Sequence, residues 1–144
     1  MARVRLVGER AEAYHRGGLH CAEAVALAVV ETYAPARGSE LPRAASGFGG
    51  GVGRSHQDIC GALAGAVLAV GLLLGRDQAG APWQAAHEAA ALLRRRFVAA
   101  HGSTNCGELL ARFGPQENMA RCHRLSGQTA ALLAGILEEA GAGS

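Results

Sequence analysis

Four cysteines, Cys21, Cys60, Cys106 and Cys122, are the residues of this chain whose type and placement could do chemistry. Each lies at or near the predicted start of a helix. A helix N-terminus carries unpaired N–H groups and about half a positive charge, so we expect it to lower the pKa of a thiol and favour the reactive thiolate. A free cysteine also serves as a small apolar core residue. Four such placements favour sulfur chemistry over that simpler interpretation.

The spacing of the cysteines excludes the short sulfur motifs. No two of them form a C-x-x-C pair, so neither a zinc-ribbon nor a thioredoxin-type pattern applies. Ligands from separate helices can still converge in the folded chain. The pairing of the cysteines stays open, because four of them allow three complete pairings.

A glycine-rich segment, residues 47–53, precedes the second cysteine. It does not match either common nucleotide-binding pattern. Val52 stands where the Rossmann fingerprint needs glycine, and Phe48 stands where the Walker pattern needs one. The remaining interpretations are a mobile surface loop and a backbone whose N–H groups face an anion, such as a thiolate or a thiolate-bound cluster.

Glycines on both sides of Cys60 are predicted to contribute to a site. Each glycine inside a helix costs about 1 kcal/mol relative to alanine, a cost that is tolerable where another backbone or a cofactor must come close. Gly71 and Gly75, farther along the same helix, are explained by close helix packing alone. The glycines predicted to bind a cofactor are Gly49, Gly50, Gly51 and Gly61.

Helix signals and composition predict an all-α fold, a single domain over residues 1–144. The apolar share is 49%, the aromatic share is 4%, and lysine is absent. The expected architecture is a bundle of about five to six helices, with the glycine-rich loop before a central apolar helix. The helices are predicted near residues 2–16, 19–33, 55–75, 82–102, 105–113 and 117–139, with a loop over 35–54 that contains at most a turn at 41–46. Ser55 and Asp58 are predicted to cap the apolar helix.

Charge and hydropathy exclude several partners. A formal net charge of +2 is too small for a nucleic-acid-binding surface. The apolar stretch 59–75 is short and holds four glycines, so it fits the centre of a helical bundle better than a membrane span. No signal-peptide pattern opens the chain, so we expect a cytoplasmic protein, in a compartment where structural disulfides are uncommon.

Four segments and the last cysteine carry a family resemblance. They are Gly-Leu-His-Cys-Ala-Glu-Ala-Val at 18–25, the glycines of 47–53, Cys-Gly-Ala-Leu-Ala-Gly at 60–65, Gly-Ser-Thr-Asn-Cys at 102–106, and Cys122. In these segments the chain resembles the C_GCAxxG_C_C family, small four-cysteine domains to which redox activity is ascribed and of which a related form occurs in split-Soret cytochromes. The resemblance implies that the four cysteines are the signature residues of the family, engaged in redox or metal chemistry.

Three functions are compatible with these residues. In the first, the four thiolates bind an iron–sulfur cluster or another metal for electron transfer or redox sensing, with the glycine loop donating N–H bonds. In the second, no cofactor is present and two thiols form a reversible disulfide, exchanging electrons with a partner protein or a small thiol. In the third, the domain is a packing or partner-binding module with inert cysteines. A homo-oligomer with a site shared between two chains is a further open alternative.

The histidines do not decide among these functions. His20 and His123 are each adjacent to a cysteine, but successive helical residues point about 100° apart, so we expect each to face away from its neighbour's site. His56, after the glycine loop, is a better candidate for supporting the ligands. The other three are predicted at helix surfaces or ends: His15, His87 and His101.

Overall fold

The computed structural model describes residues 2–141 and is all-helical, as predicted. Within that range the backbone forms no β-strand, and its only β-type pairing is an isolated bridge between Ile59 and Asn105. Two short 3-10 turns, Pro35–Arg37 and Ser46–Phe48, flank the third helix. The helices are α1 (Ala2–Arg16), α2 (Cys21–Tyr33), α3 (Leu41–Ala45), α4 (Gly61–Leu74), α5 (Gln84–His101), α6 (Cys106–Phe113) and α7 (Ala120–Glu139).

The described residues contain seven α-helices rather than five to six, because the predicted loop over 35–54 includes α3. This helix has only five residues, too few to be stable by itself. Leu41 and Ala45 lie one turn apart and are both buried, and α3 packs against α2. Tertiary contact therefore forms α3 where the local sequence predicted a turn.

The ends of the first, second and sixth helices follow from local signals. Gly18 adopts a φ of 121° after α1. His20 and Glu23 form the capping box of α2, in which the backbone N–H of His20 donates to the Glu23 carboxylate. Asn105 caps α6 as predicted, accepting a hydrogen bond from the Glu108 amide at 3.0 Å.

The starts of three helices differ from the prediction. Helix α4 begins at Gly61, and Ser55 instead closes a turn, donating to the Gly51 carbonyl and accepting from the Gln57 amide. Helix α5 begins at Gln84 rather than at the proline two residues earlier. Helix α7 begins at Ala120 rather than near 117, because the two residues before it have positive φ values and interrupt the helix.

The core lies between α2 and its neighbours, where small residues let helices come close. Helix α2 packs against α1, α4 and α7, and α7 also runs along α1. The Ala22 backbone fills the space beside Gly65 of α4, and Gly8 of α1 meets Gly127 of α7. None of the helices within residues 2–141 combines the length and apolar character that a membrane crossing requires. This arrangement brings the N-terminal ends of α2, α4, α6 and α7 to one cavity.

Candidate functional site

All four cysteines line a single cavity of about 340 Å³. Each lies at the N-terminal end of its helix, as predicted: Cys21 is the first residue of α2, Cys60 the N-cap of α4, Cys106 the first residue of α6 and Cys122 the third residue of α7. The positive ends of four helices therefore converge on this cavity. The fold brings together thiols that lie far apart in the sequence.

The expected lowering of the thiol pKa values is wrong for three of the cysteines. Cys60 is only 5% exposed, and burial raises its pKa to about 12. The backbone amides of Leu63 and Ala62, at the start of α4, partly oppose that rise. Burial also raises the pKa of Cys106 to about 11 and raises the pKa of Cys122. The loss of water around these sulfurs outweighs the helix N-termini.

Cys21 is electrostatically linked to the other three cysteines. After burial, the nearness of Cys21 is a further cause of the raised pKa of Cys60, Cys106 and Cys122, because adjacent thiolates repel one another. Its sulfur also lies against Gly61, in the space that a Cβ would fill. Gly61 thus admits the Cys21 thiol to the start of α4, next to Cys60.

The glycine-rich loop is a hydrogen-bonded left-handed turn. Residues 50–54 have φ values of 63°, 75°, 65°, 62° and 60° in chain order. The amide of Gly53 donates to the Gly47 carbonyl at 2.9 Å, and that of His56 donates to the Gly50 carbonyl at 2.9 Å. Two of the five residues, Val52 and Arg54, are not glycine. Holding them at a positive φ costs backbone strain of the kind that clusters at functional sites.

The loop glycines differ in their relation to the cavity. Gly50 lines it directly. Gly51 supports Cys106, because a Cβ added to Gly51 would lie 2.7 Å from the Cβ of Cys106. Gly49 packs against His20, with an added Cβ only 3.1 Å from the His20 Cβ. Gly49 and Gly51 therefore leave space for residues next to the cavity, whereas a Cβ added to Gly50 would meet the Cα of Arg54, within the turn itself, at 2.9 Å.

Cys60 and Cys106 are held by a clamp, defined as residues 57–60 paired with residues 104–106. The Cys60 amide donates to the Thr104 carbonyl at 2.7 Å, and the Cys106 amide donates to the Asp58 carbonyl at 2.8 Å. The bridge of Ile59 and Asn105 lies between these bonds. The clamp fixes the backbone of both cysteines relative to each other, although their helices are separated by α5.

Cys122 is positioned by two side chains that the sequence did not single out. The Gln116 side chain accepts a hydrogen bond from the Cys122 amide at 3.0 Å and donates one to its sulfur at 3.3 Å. His15 bonds to Ser126 at 2.9 Å, one turn after Cys122, and to the Cys122 backbone. Burial lowers the pKa of His15 to about 4, so it is neutral near pH 7.

Four histidines line the cavity, which corrects the prediction for three of them. His20 and Cys21 face one site because His20 is an extended N-cap residue rather than a helical one. His123 reaches the same cavity as its neighbour and contacts the ring of His15, with ring centroids 4.5 Å apart. His15 also lines the cavity, although it was predicted at the helix surface. His56 lies at the cavity as predicted.

The charges around the cavity favour a negative occupant. Arg54 is the one permanently charged side chain among the described lining residues, and no aspartate or glutamate lines the cavity. Leu109, Leu110 and Phe113 of α6 form an apolar wall. Arg54 had no distinguishing signal in the sequence, because its position depends on the left-handed turn.

The side-chain conformations do not form a site for a single metal ion. Among residues 2–141, no three histidine, cysteine, aspartate or glutamate side chains lie close enough together to bind one ion. The four thiols are instead distributed around a cavity that is larger than an ion.

Comparison with known proteins identifies the family. A search of curated proteins and a search of solved structures each give no match. The family model described as "Putative redox-active protein (C_GCAxxG_C_C)" matches residues 19–136, which include the four cysteines and most of the chain. The chain therefore belongs to the C_GCAxxG_C_C family.

Proposed function

We propose that the four cysteines hold an iron–sulfur cluster, or another thiolate-bound metal, and that the protein uses it for electron transfer or redox sensing. The observation that carries this proposal is the convergence of four thiols on one cavity at four helix N-termini. When bound by cysteine thiolates, such a cluster supplies one-electron transfer. The ligands proposed are Cys21, Cys60, Cys106 and Cys122.

The charge distribution supports a thiolate-bound group. Four thiolates carry negative charge that a buried site must compensate. The helix N-termini contribute partial positive charge, Arg54 contributes a full one, and no carboxylate at the cavity opposes them. These residues stabilise an anionic occupant without any further charged partner.

The raised pKa values also favour metal binding over chemistry by free thiolates. With pKa values of about 12 and 11, Cys60 and Cys106 are neutral thiols near pH 7 when nothing is bound. A coordinated metal removes the thiol proton and supplies the missing positive charge. Thiol–disulfide exchange, in contrast, needs an accessible thiolate. As neutral thiols, Cys60 and Cys106 are therefore better suited to ligation than to exchange.

The size of the cavity favours a cluster over a single ion. A tetrahedral zinc site holds each sulfur about 2.3 Å from the metal. No set of three described side chains gathers so closely, whereas the cavity measures about 340 Å³. In a cluster, different cysteines bind different metal ions, so the sulfurs need not surround one point.

Anaerobic isolation tests this proposal. The full chain, purified without oxygen and reconstituted with iron and sulfide, should become coloured and contain both elements in fixed proportion. Replacing any one cysteine by serine should lower the iron content, whereas His87→Ala, on the exposed side of α5, should not. A colourless chain with four free thiols and no metal after this treatment would contradict the proposal.

A second candidate, thiol–disulfide exchange, is favoured by one contact. The sulfur of Cys21 lies against Gly61, directly after Cys60, and this contact makes Cys21 and Cys60 the candidate pair for a reversible disulfide. The partner would be a redox protein or a small thiol. Mass mapping across a series of redox buffers tests this candidate, which predicts a reversible loss of two hydrogens from this pair; no such loss would contradict thiol–disulfide exchange.

A further inference from the structure

A second groove lies between α4 and α5, on the outer side of the clamp. Its volume is about 470 Å³. Both segments of the clamp contribute to its wall, so the clamp separates the groove from the cysteine cavity. The apolar residues that line it are Ile59, Leu63, Val67, Ala90 and Ala91.

The apolar face of α4 continues beyond this groove without a cover in the described part of the chain. Val67 is 38% exposed, and Gly71 follows one turn later on the same face. A Cβ added to Gly71 would have nothing within 4 Å, so the close packing predicted for this glycine does not occur within residues 2–141. An interior glycine costs about 1 kcal/mol relative to alanine, and here no contact among the described residues accounts for that cost.

Two opposite charges line the same groove. Asp58 and Arg94 are both exposed there, and neither forms an ion pair with another residue between 2 and 141. One acidic and one basic residue on one patch make that patch complementary to itself. In a two-fold symmetric interface each surface meets its own copy, so the acid of one subunit faces the base of the other.

We propose that a second copy of this chain covers the α4–α5 face, in a symmetric dimer that pairs Asp58 with Arg94 of the partner subunit. The small residues Gly71 and Ala91 let helices of the two subunits approach, and the groove receives apolar side chains at the centre. Such a surface, apolar in the middle with charges at its edge, has the composition of a protein interface.

The interface has a direct connection to the cysteines. Asp58 faces the groove, while its carbonyl accepts the hydrogen bond from the Cys106 amide. Dimer formation therefore holds the clamp from its outer side. The proposal does not depend on which group the cysteines bind, because the contact is made by residues outside the cavity.

A charge-swap experiment on the full chain tests the dimer. Light scattering of the protein eluting from a sizing column should give twice the 14.7 kDa mass of one chain. Asp58→Arg and Arg94→Asp should each weaken the dimer about tenfold or more, because like charges then face each other. The double variant restores opposite charges and should return the dissociation constant to near the original value.

Matched variants make the result specific. Arg5→Asp and Glu9→Arg reverse charges on the exposed face of α1 and should leave the dimer unchanged. Val67→Glu, at an exposed position that a single chain tolerates, should yield a folded monomer by circular dichroism. A monomeric parent chain, a dimer insensitive to both single reversals, or a double variant that stays as weak as the singles would overturn the proposal.

Discussion

The sulfur of Cys21 occupies the space that a side chain at Gly61 would need. Gly61 opens α4, and Cys21 opens α2, so the contact joins the starts of two helices that pack along each other. Glycine is required here for room, because its φ is not in the left-handed region. The thiol and a β-carbon at residue 61 cannot both keep their positions.

Gly61→Ala should therefore displace Cys21 and destabilise the chain by about 1–3 kcal/mol, the usual cost of overpacking. Reconstituted protein should also lose bound iron, because one proposed ligand moves. Gly135→Ala is the matched control, since an added Cβ in α7 meets nothing within 4 Å. That variant should be as stable as the parent or up to about 1 kcal/mol more stable in urea unfolding. Equal effects of the two substitutions would contradict the role given to Gly61.

Gly51→Ala should move Cys106. Gly51 has a φ of 75°, and an added Cβ would lie 2.7 Å from the Cβ of Cys106. Gly53 has a φ of 62° and open space, so Gly53→Ala introduces the same backbone strain without the contact. Both variants should lose about 1–2 kcal/mol of stability to the left-handed conformation. Only Gly51→Ala should also change the rate at which iodoacetamide modifies Cys106, measured by mass spectrometry.

The sequence predicts the helices and the positions of the cysteines on them, because capping residues, glycines and prolines act locally. The pair of Asn105 and Glu108 identifies the start of α6, and Gly102 ends α5 with a φ of 89°. Ser55 and Asp58 do not cap α4, because the Asp58 carbonyl accepts a hydrogen bond from the amide of Cys106, nearly fifty positions along the chain. A local pattern cannot reveal such a pairing.

The environment of the sulfurs was not predictable in the same way. Placement at a helix start favours a low thiol pKa, but the desolvation that reverses it comes from packing between helices distant in sequence. His15 likewise looks like a surface residue of α1 until α7 covers it and brings Ser126 to 2.9 Å. The sequence shows which residues can do chemistry. How deeply these side chains are buried, and which residues surround them, depends on how the helices pack in the fold.

The raised thiol pKa values predict how the stability of metal-free protein depends on pH. The pKa of Cys60 is about 12 against a reference of 9.0, so the folded state retains a proton that the unfolded state loses first. The stability from this group is fully present below about pH 9 and is lost as the pH rises toward about 12. The free energy of unfolding should therefore fall between about pH 9 and pH 11. Cys60→Ala should show a shallower fall, and an unchanged slope would contradict the raised pKa.

Gln116 should control the reactivity of Cys122. Its Nε2 donates to the Cys122 sulfur at 3.3 Å, which opposes the rise in pKa caused by burial, and its Oε1 accepts from the Cys122 amide at 3.0 Å. Gln116→Glu keeps the acceptor but replaces the donor with a negative charge, so the pKa of Cys122 should rise further and its alkylation should slow severalfold at a given pH.

Gln128→Glu places the same charge on the exposed side of α7 and is the matched control for this effect. It should leave the alkylation profile of Cys122 unchanged, because an exposed charge is screened by solvent and salt. Gln116→Ala removes both hydrogen bonds and should slow the reaction as well, while also loosening the start of α7. If Gln116→Glu and Gln128→Glu gave the same profile, the hydrogen bond to the sulfur would have no influence on the thiol, and the geometry around Cys122 would need another explanation.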